Sequence, residues 1–190
     1  MTTPSVVLDI NVSLDGFVAA GGSNVEEPLG LGGQVLREWA TSADADRTPK
    51  PASTAGALIG GRRTYDMALP EWGAGGPHPP TPVFVITHAA PDSPPPDSAY
   101  TFVTDGIDAV LDQARLAAGE LDVRIMGGAA IGQQYLAAGL VDEIVVHIVP
   151  VLLKAGIRMF ENLDSKHTEL DVLEVVDTPG ATHVRYRVIA

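Results

Sequence analysis

The chain has 190 residues, of which 45% are hydrophobic and 19% charged, a composition that fits one packed domain over 1–190 and excludes a disordered or collagen-like chain. Its net charge of −12 argues against general nucleic-acid binding, which needs a basic face, and the absence of cysteine excludes disulfides, thiolate catalysis and iron–sulfur clusters. No apolar run approaches the roughly 20 residues of a membrane span, and the N-terminus lacks the basic region of a signal peptide. We therefore expect a cytoplasmic protein with no membrane partner.

The first half of the chain alternates short apolar runs with segments rich in glycine and proline. Apolar and polar residues alternate in the first run, which is typical of a strand with one polar face. Glycine and proline then mark the loops. Strands are predicted over 6–14, 55–59, 83–87 and 100–103, helices over 34–40 and 62–68, and loops over 20–33, 70–82 and 91–96.

The second half predicts strands alternating with helices, followed by two strands that flank Thr178-Pro179-Gly180. The last pair is typical of an antiparallel hairpin. Strands are predicted over 123–126, 143–149, 170–176 and 183–189, and helices over 108–118 and 129–138. This alternation indicates an α/β fold whose sheet is mainly parallel, and the terminal hairpin makes the sheet mixed.

Two predicted strands end in a pair of glycines before a helix begins. Gly127-Gly128 follows the strand 123–126, and Gly60-Gly61 precedes Arg62, Arg63 and Thr64. Glycine lets a ligand approach the backbone, and a helix start offers N–H groups with partial positive charge, which suits a pyrophosphate. The alternative is that the glycines only permit a sharp turn and that the arginines form surface ion pairs.

Thr87 and His88 close a third strand. Ligands of open α/β sheets bind beyond the carboxyl ends of the strands, so these residues, the arginines and the glycine corners are expected on one rim. On the first strand, Asp9, Asn11 and Ser13 form a polar face that points toward a site. His78, His147, His167 and His183 are scattered without a metal-ligand spacing, so no metal is expected, and Trp39 is a candidate to line a ring-binding pocket or simply to fill the core.

Six segments carry a resemblance to a known family. They are Ser-Leu-Asp-Gly-Phe-Val-Ala at 13–19, Gly-Arg-Arg-Thr-Tyr-Asp at 61–66, Val-Phe-Val-Ile-Thr-His at 83–88, Met-Gly-Gly-Ala at 126–129, Gly-Leu-Val-Asp-Glu at 139–143 and Pro-Val-Leu-Leu at 150–153. In this order they resemble the dihydrofolate reductase-like superfamily, in the branch that includes the C-terminal reductase domain of bacterial riboflavin biosynthesis. The resemblance implies a three-layer α/β/α sandwich with a central mixed, mostly parallel sheet.

The resemblance also implies NADPH as cofactor and assigns roles by position. The cofactor-binding residues it implies are Gly61, Arg62, Arg63, Thr64, Thr87, His88, Gly127, Gly128, Ala129, Ala130, Ile131 and Gly132. Asp9, Asn11, Trp39 and Met126 are predicted to line the substrate pocket, and Asp15 and Asn11 are candidate catalytic residues that position the proton or the substrate. An Asp before Gly is also a common turn former, so a structural role of Asp15 is the alternative.

Two functions are compatible with these residues. The first is an NADPH-dependent reductase that transfers a hydride to a small heterocyclic C=N or carbonyl substrate, pteridine- or ribosylaminopyrimidine-like. The second is a non-catalytic NADP(H)-binding sensor or assembly module. Two departures from the family pattern concern the substrate. Met126 stands where riboflavin-pathway enzymes usually place an acid. Folate enzymes bind the pterin with an acid on the first helix, and the residue of this chain in that region is Glu38. By resemblance, a homodimer is expected.

Overall fold

A computed structural model describes residues 4–41, 45–163 and 167–189. In chain order its elements are β1 (Val6–Ser13), β2 (Phe17–Ala20), β3 (Ala57–Gly61), α1 (Arg62–Trp72), β4 (Val83–Ile86), β5 (Tyr100–Val103), α2 (Ile107–Ala118), β6 (Val123–Met126), α3 (Ala129–Ala137), β7 (Glu143–Val149), β8 (Gly156–Arg158), β9 (Glu169–Thr178) and β10 (Ala181–Ile189). Short 3-10 helices at Gly33–Thr41, Ala45–Arg47 and Ala52–Thr54 lie between β2 and β3.

One eight-stranded sheet organises the described residues, in the order β5-β4-β3-β6-β1-β7-β10-β9. The first six strands are parallel, and β10 pairs antiparallel with both β7 and β9. The small strands β2 and β8 form a separate antiparallel pair. The predicted mixed, mostly parallel sheet with a terminal hairpin is thereby confirmed.

Alternation of side chains along the strands assigns the helices to opposite faces of the sheet. Ile59 and Phe84 pack with the apolar residues of α2 and α3 in the main core. Their neighbours Leu58 and Val85 pack with Tyr65 of α1 on the other face. The continuous apolar runs of β3 and β4 follow from this, because both faces of these strands are covered.

Several boundaries differ from the sequence prediction. β2 directly follows Asp15-Gly16 and is absent from the sequence prediction, because four residues carry too little periodicity to mark a strand. The segment 34–40 is helical but of the 3-10 type. α1 extends to Trp72 and includes Pro70, which is tolerated in the last turn because it removes a single backbone hydrogen bond there.

β7 lies between β1 and β10, so it is a central strand, and β9 forms the edge of the sheet. In the described part of the chain, none of the helices combines the length and apolar character that a membrane crossing requires.

Candidate functional site

The topology creates a crevice between two neighbouring strand ends. β3 and β6 pair in parallel, and each is followed directly by a helix. α1 leaves β3 toward one face of the sheet, whereas α3 leaves β6 toward the other. Adjacent parallel strands whose helices leave on opposite faces open a crevice at their carboxyl ends, which is where open α/β sheets bind ligands.

Both glycine corners line this crevice and touch each other through Thr64. Gly127 and Gly128 have φ values of +67° and +76°, a left-handed conformation that residues with a side chain rarely adopt. A Cβ at Gly128 would lie 3.1 Å from Oγ1 of Thr64, and one at Gly127 would lie 3.1 Å from Cγ2 of the same residue. The two corners therefore pack so closely at Thr64 that a side chain at Gly127 or Gly128 would crowd it.

Neither helix that starts at these corners has a side-chain cap. Gly61 and Gly128 are the N-cap residues of α1 and α3, and no side chain bonds the first N–H groups of either helix. The first turn of a helix has N–H groups without backbone partners and carries partial positive charge. Two such termini side by side form a site suited to an anion with two phosphates.

The predicted cationic and hydroxyl residues meet at the same rim. Nη1 of Arg62 donates to the carbonyl oxygen of Ala89 at 2.8 Å, and Oγ1 of Thr87 donates to the same oxygen at 2.7 Å. Arg62 also bonds Asp66 through Nε at 2.8 Å, and His88 is exposed beside them. The structure thus brings Arg62, Thr87 and His88 together at the ends of β3 and β4.

Arg63 points to the other side of the crevice. Its Nη2 donates to the backbone oxygen and to Oγ of Ser23, at 2.9 and 2.8 Å. This contact borders an open groove of about 400 Å³ whose other lining residues are Ala20, Gly21, Gly22, Gly156 and Ile157. A guanidinium beside an open groove is suited to an anionic ligand in an otherwise acidic protein.

Three of the residues predicted on α3 have side positions that face the core. Gly132 is buried, its N–H bonds the oxygen of Gly128, and a Cβ there would lie 2.5 Å from Cε of Met159. Ala129 is buried as well, and Ile131 packs against Gly61. Contact of these three residues with a cofactor stays a prediction. Gly128 and Ala130 are exposed.

The polar face of β1 adjoins the crevice, because Asp9 pairs with Met126 at the end of β6. The carboxylate of Asp9 accepts hydrogen bonds from Nη1 of Arg124 and, at 2.9 Å, from Nε2 of His147. Both partners are buried. A charged pair of this kind is maintained in the interior only when nearly all of its polar atoms are bonded.

Trp39, from the 3-10 helix Gly33–Thr41, covers this polar face. Its Nε1 donates to Oδ1 of Asn11 at 3.0 Å, and its ring centroid lies 4.4 Å from that of His147 and 4.7 Å from that of His183. All four residues predicted for the substrate pocket, namely Asp9, Asn11, Trp39 and Met126, are therefore neighbours. The role of this surface in binding substrate stays a prediction.

The carboxyl group of Asp9 stays ionised although it is largely buried. Burial by itself would raise its pKa, but the hydrogen bond and charge of His147 and the guanidinium of Arg124 outweigh burial and lower the pKa to about 2. At neutral pH Asp9 is thus a carboxylate at the edge of the crevice. Among the described residues, no three His, Asp or Glu side chains are grouped so that they could hold a metal ion.

Asp15 holds the turn between β1 and β2. Its carboxylate accepts hydrogen bonds from the Ser13 hydroxyl at 2.6 Å and from the backbone N–H groups of Leu153 and Lys154 at 3.1 and 2.8 Å. The Ser13 bond, despite some opposing desolvation, lowers the pKa of Asp15 together with these N–H groups. Asp15 therefore fastens the turn to the segment after β7, and a catalytic role for it stays a prediction.

Comparison with known proteins gives the family. The family model of the RibD C-terminal domain matches residues 4–184. The chain belongs to the RibD C-terminal domain family. It is also similar to the uncharacterized protein YwjB of Bacillus subtilis (strain 168), with 26% identity over 166 residues that cover 84% of each chain.

Solved structures similar to this RibD C-terminal domain share its fold. A putative riboflavin biosynthesis protein from Shewanella sp. PV-4 aligns with a TM-score of 0.70 and 23% identity, over 98% of this chain and 99% of that one. The Thermotoga maritima diaminohydroxyphosphoribosylaminopyrimidine deaminase/5-amino-6-(5-phosphoribosylamino)uracil reductase aligns with a TM-score of 0.68 and 15% identity, and this chain spans 57% of its length. Dihydrofolate reductase from Enterococcus faecalis complexed with NADP(H) aligns with a TM-score of 0.60 and 16% identity, over 97% and 96% of the two chains.

Sequence reasoning missed several residues that shape the site of this RibD C-terminal domain. His147, His183 and Arg124 complete the buried polar cluster around Asp9, yet they are separated from it by more than a hundred residues. The only available signal was a charged or polar residue inside an otherwise apolar strand pattern. Glu38 is exposed, so the acid on the candidate substrate face of this domain comes from β1.

Proposed function

We propose that this RibD C-terminal domain is an NADPH-dependent reductase that transfers a hydride to a small heterocyclic C=N or carbonyl substrate of pteridine- or ribosylaminopyrimidine-like chemistry. The observation that carries the proposal is the contact of the two uncapped glycine corners through Thr64, directly beside a buried carboxylate. The first feature suits a dinucleotide pyrophosphate, and the second suits a polar ring placed next to it.

Each end of the cofactor has candidate partners in this chain. The amides that begin α3 at Gly128 and Ala130, with the hydroxyl of Thr64, would hold the pyrophosphate. Arg62 and Thr87, which already share one carbonyl oxygen, would bind the 2′-phosphate of the adenosine by replacing that oxygen. The arginines supply the local positive charge that an overall net charge of −12 would otherwise oppose.

The substrate side is the face of β1 under Trp39. The reduced nicotinamide supplies the hydride when it is bound, and the protein supplies orientation and electrostatics. Asp9 would accept a hydrogen bond from a ring N–H of the substrate, because its low pKa keeps it an acceptor at neutral pH. Trp39 would limit the depth of the pocket and keep water from the buried cluster.

The experiment is a titration of the purified protein with NADPH, followed by candidate substrates. We expect saturable binding that enhances NADPH fluorescence, and oxidation of NADPH at 340 nm with at least one pteridine or aminopyrimidine compound. Saturable binding with no oxidation by any compound of these classes would favour the non-catalytic NADP(H)-binding module. No binding at millimolar NADPH would refute both functions.

We also propose that the protein is a homodimer that pairs through β9. This edge strand exposes Leu170, Val172 and Val175. Its register with β10 aligns Val172 with Tyr186 and Val175 with Val184, so these apolar residues lie on one face of the sheet. An apolar face on an edge strand is typical of a surface that another chain covers, and a second copy fits the expectation from the family.

A further inference from the structure

Four polar side chains form one continuous hydrogen-bonded chain across four adjacent strands. Asp9 on β1 accepts from Nε2 of His147 on β7, and Nδ1 of His147 lies 2.7 Å from Nδ1 of His183 on β10. Nε2 of His183 lies 2.9 Å from Oγ1 of Thr178 on β9. We call these four residues the Asp9–Thr178 chain.

Asp9 is the most exposed member of the Asp9–Thr178 chain. His183 is fully buried, and His147 and Thr178 are buried as well, whereas the side chain of Asp9 is 13% exposed. Trp39 covers both imidazole rings. Asp9 also adjoins the crevice at the end of β6, so it is the member placed to exchange a proton with a ligand there.

The geometry limits where the protons can be. Two nitrogens 2.7 Å apart share one proton, because two N–H groups would clash and two lone pairs would repel. The ionised carboxylate of Asp9 requires an N–H at Nε2 of His147. The Thr178 hydroxyl has a single proton but two acceptors within reach, Nε2 of His183 and, at 3.0 Å, the oxygen of Ala181.

These constraints leave two forms that differ by one proton. In the form with the extra proton, His147 is an imidazolium, Nε2–H of His183 donates to Thr178, and the Thr178 hydroxyl donates to Ala181. In the other form both rings are neutral, His183 donates through Nδ1 to His147, and Thr178 rotates to donate to Nε2 of His183. The form with the extra proton has a second arrangement, in which the shared proton is bonded to Nδ1 of His183 and makes that ring the imidazolium.

The surroundings of His183 disfavour an extra proton on that ring. Arg124 balances the carboxylate of Asp9 from the β6 side, and the half-buried His78 approaches the same pair from the loop after α1. Asp177 on β9 and Asp9 are the acids that favour a charge on His183. Burial and the neighbouring His147 nevertheless lower the pKa of His183 to about 4, so His183 stays neutral near pH 7.

We propose that the Asp9–Thr178 chain is a proton relay that stores one proton on His147 and delivers it through Asp9 to the substrate. The inference rests on the proposed function, because a hydride transfer must be completed by a proton. The hydride forms a C–H bond with its electron pair, the π pair of the C=N or C=O bond moves to the nitrogen or oxygen, and this atom takes the proton. NADPH, the double bond and one proton thus become NADP⁺ and the reduced bond, and a proton from solvent restores the relay.

Asp9 is the catalytic residue in this scheme, because it would touch the substrate. His147, His183 and Thr178 are positioning residues that act through it. The scheme predicts opposite tautomers of the two histidines in the neutral form, Nε2–H on His147 and Nδ1–H on His183. A merely structural pair with this geometry would show the same tautomers, so turnover supplies the readout that separates the two roles.

The test uses the 190-residue protein, first without ligand and then with NADPH. Long-range ¹⁵N NMR of the imidazole nitrogens is expected to show these opposite tautomers at high pH and uptake of one proton by His147 on acidification. A Trp72→Phe variant leaves Trp39 as the only tryptophan of the chain, and its emission is expected to follow the same one-proton transition. In Asp9→Asn this transition is expected to move to lower pH by at least about one unit, since the anion beside the imidazolium is lost. Asp112→Asn, which removes an exposed acid from α2, leaves it unchanged.

Turnover supplies the second readout. Asp9→Asn is expected to lower kcat roughly 100-fold and leave the Kd of NADPH unchanged, in line with loss of a general acid. Identical tautomers of the two histidines, or the uptake of two protons, would overturn the relay even if NADPH binds and is oxidised. If the tautomers are as expected and NADPH does not bind, the proposed function and the delivery of a proton to substrate are both wrong. The uptake of one proton by the Asp9–Thr178 chain is then still supported.

Discussion

The hydroxyl of Thr64 lies against Gly128, where the two strand-to-helix corners meet. A side chain at position 128 would begin 3.1 Å from Oγ1 of Thr64. Thr64 belongs to the first turn of α1, whereas Gly128 is the N-cap of α3, so this contact fixes the distance between two helix termini. A pyrophosphate bound here would meet N–H groups from both corners.

Gly128→Ala should weaken NADPH binding at least about tenfold, which corresponds to roughly 1.4 kcal/mol. The added methyl group meets Thr64 and occupies the surface where the phosphates would lie. The left-handed conformation also costs stability, about 1 kcal/mol for a residue with a side chain. Gly139→Ala is the matched control, because Gly139 has φ +67° but open space around it. Calorimetry should show equal losses of stability in both variants and lost affinity only in the first.

Arg62→Ala should weaken the binding of NADPH roughly 10- to 100-fold and that of NADH much less. Charge-assisted hydrogen bonds contribute about 1.5–3 kcal/mol each, and only NADPH has the 2′-phosphate that would receive them. Arg115→Ala removes the same charge from an exposed position on α2 and should leave both affinities unchanged. An equal loss for both dinucleotides in Arg62→Ala would contradict the assignment of Arg62 to the 2′-phosphate.

The free energy of unfolding should fall as the pH is lowered from about 6.5 to 4, with a contribution of roughly 3 kcal/mol from His183. The folded pKa of His183, about 4, lies below its ordinary value of 6.5 because of burial and the neighbouring His147. In this window the unfolded chain binds the proton and the folded chain does not, so acid favours unfolding. Urea titrations at several pH values should show that the free energy of unfolding depends less steeply on pH in His183→Gln. The His167 side chain is 88% exposed, so His167→Gln should retain the pH dependence of the parent protein's free energy of unfolding.

Val172→Lys should convert the proposed homodimer to a monomer. The substitution places a charge on the apolar face of the edge strand β9, where Val172 is 61% exposed. Light scattering during size-exclusion chromatography measures the change in mass. Leu116→Lys, an equally drastic change at an exposed position of α2, should leave the mass unchanged. A monomeric mass for the parent protein at high concentration would rule out this association.

Local patterns were sufficient for the sheet and for the two glycine corners. The apolar runs of β3, β4 and β6 and the glycine pairs after β3 and β6 are readable because each is a property of a few consecutive residues. Dependence on a few consecutive residues also explains where the sequence prediction falls short. The four residues of β2 carry too little periodicity, and no pattern around Gly132 distinguishes a ligand contact from the close packing of α3 on Leu8.

What the sequence by itself determined is the order of strands and helices, the glycine corners and the polar face of β1. What only the tertiary structure decided is which distant polar residues meet that face. His147 and His183 become neighbours because β7 and β10 pair antiparallel in a register that sets them opposite each other, and β1 pairs with β7 on the other side. Strand pairing and register depend on contacts over the whole chain, so a buried hydrogen-bonded chain across four strands cannot be inferred from the spacing of its members.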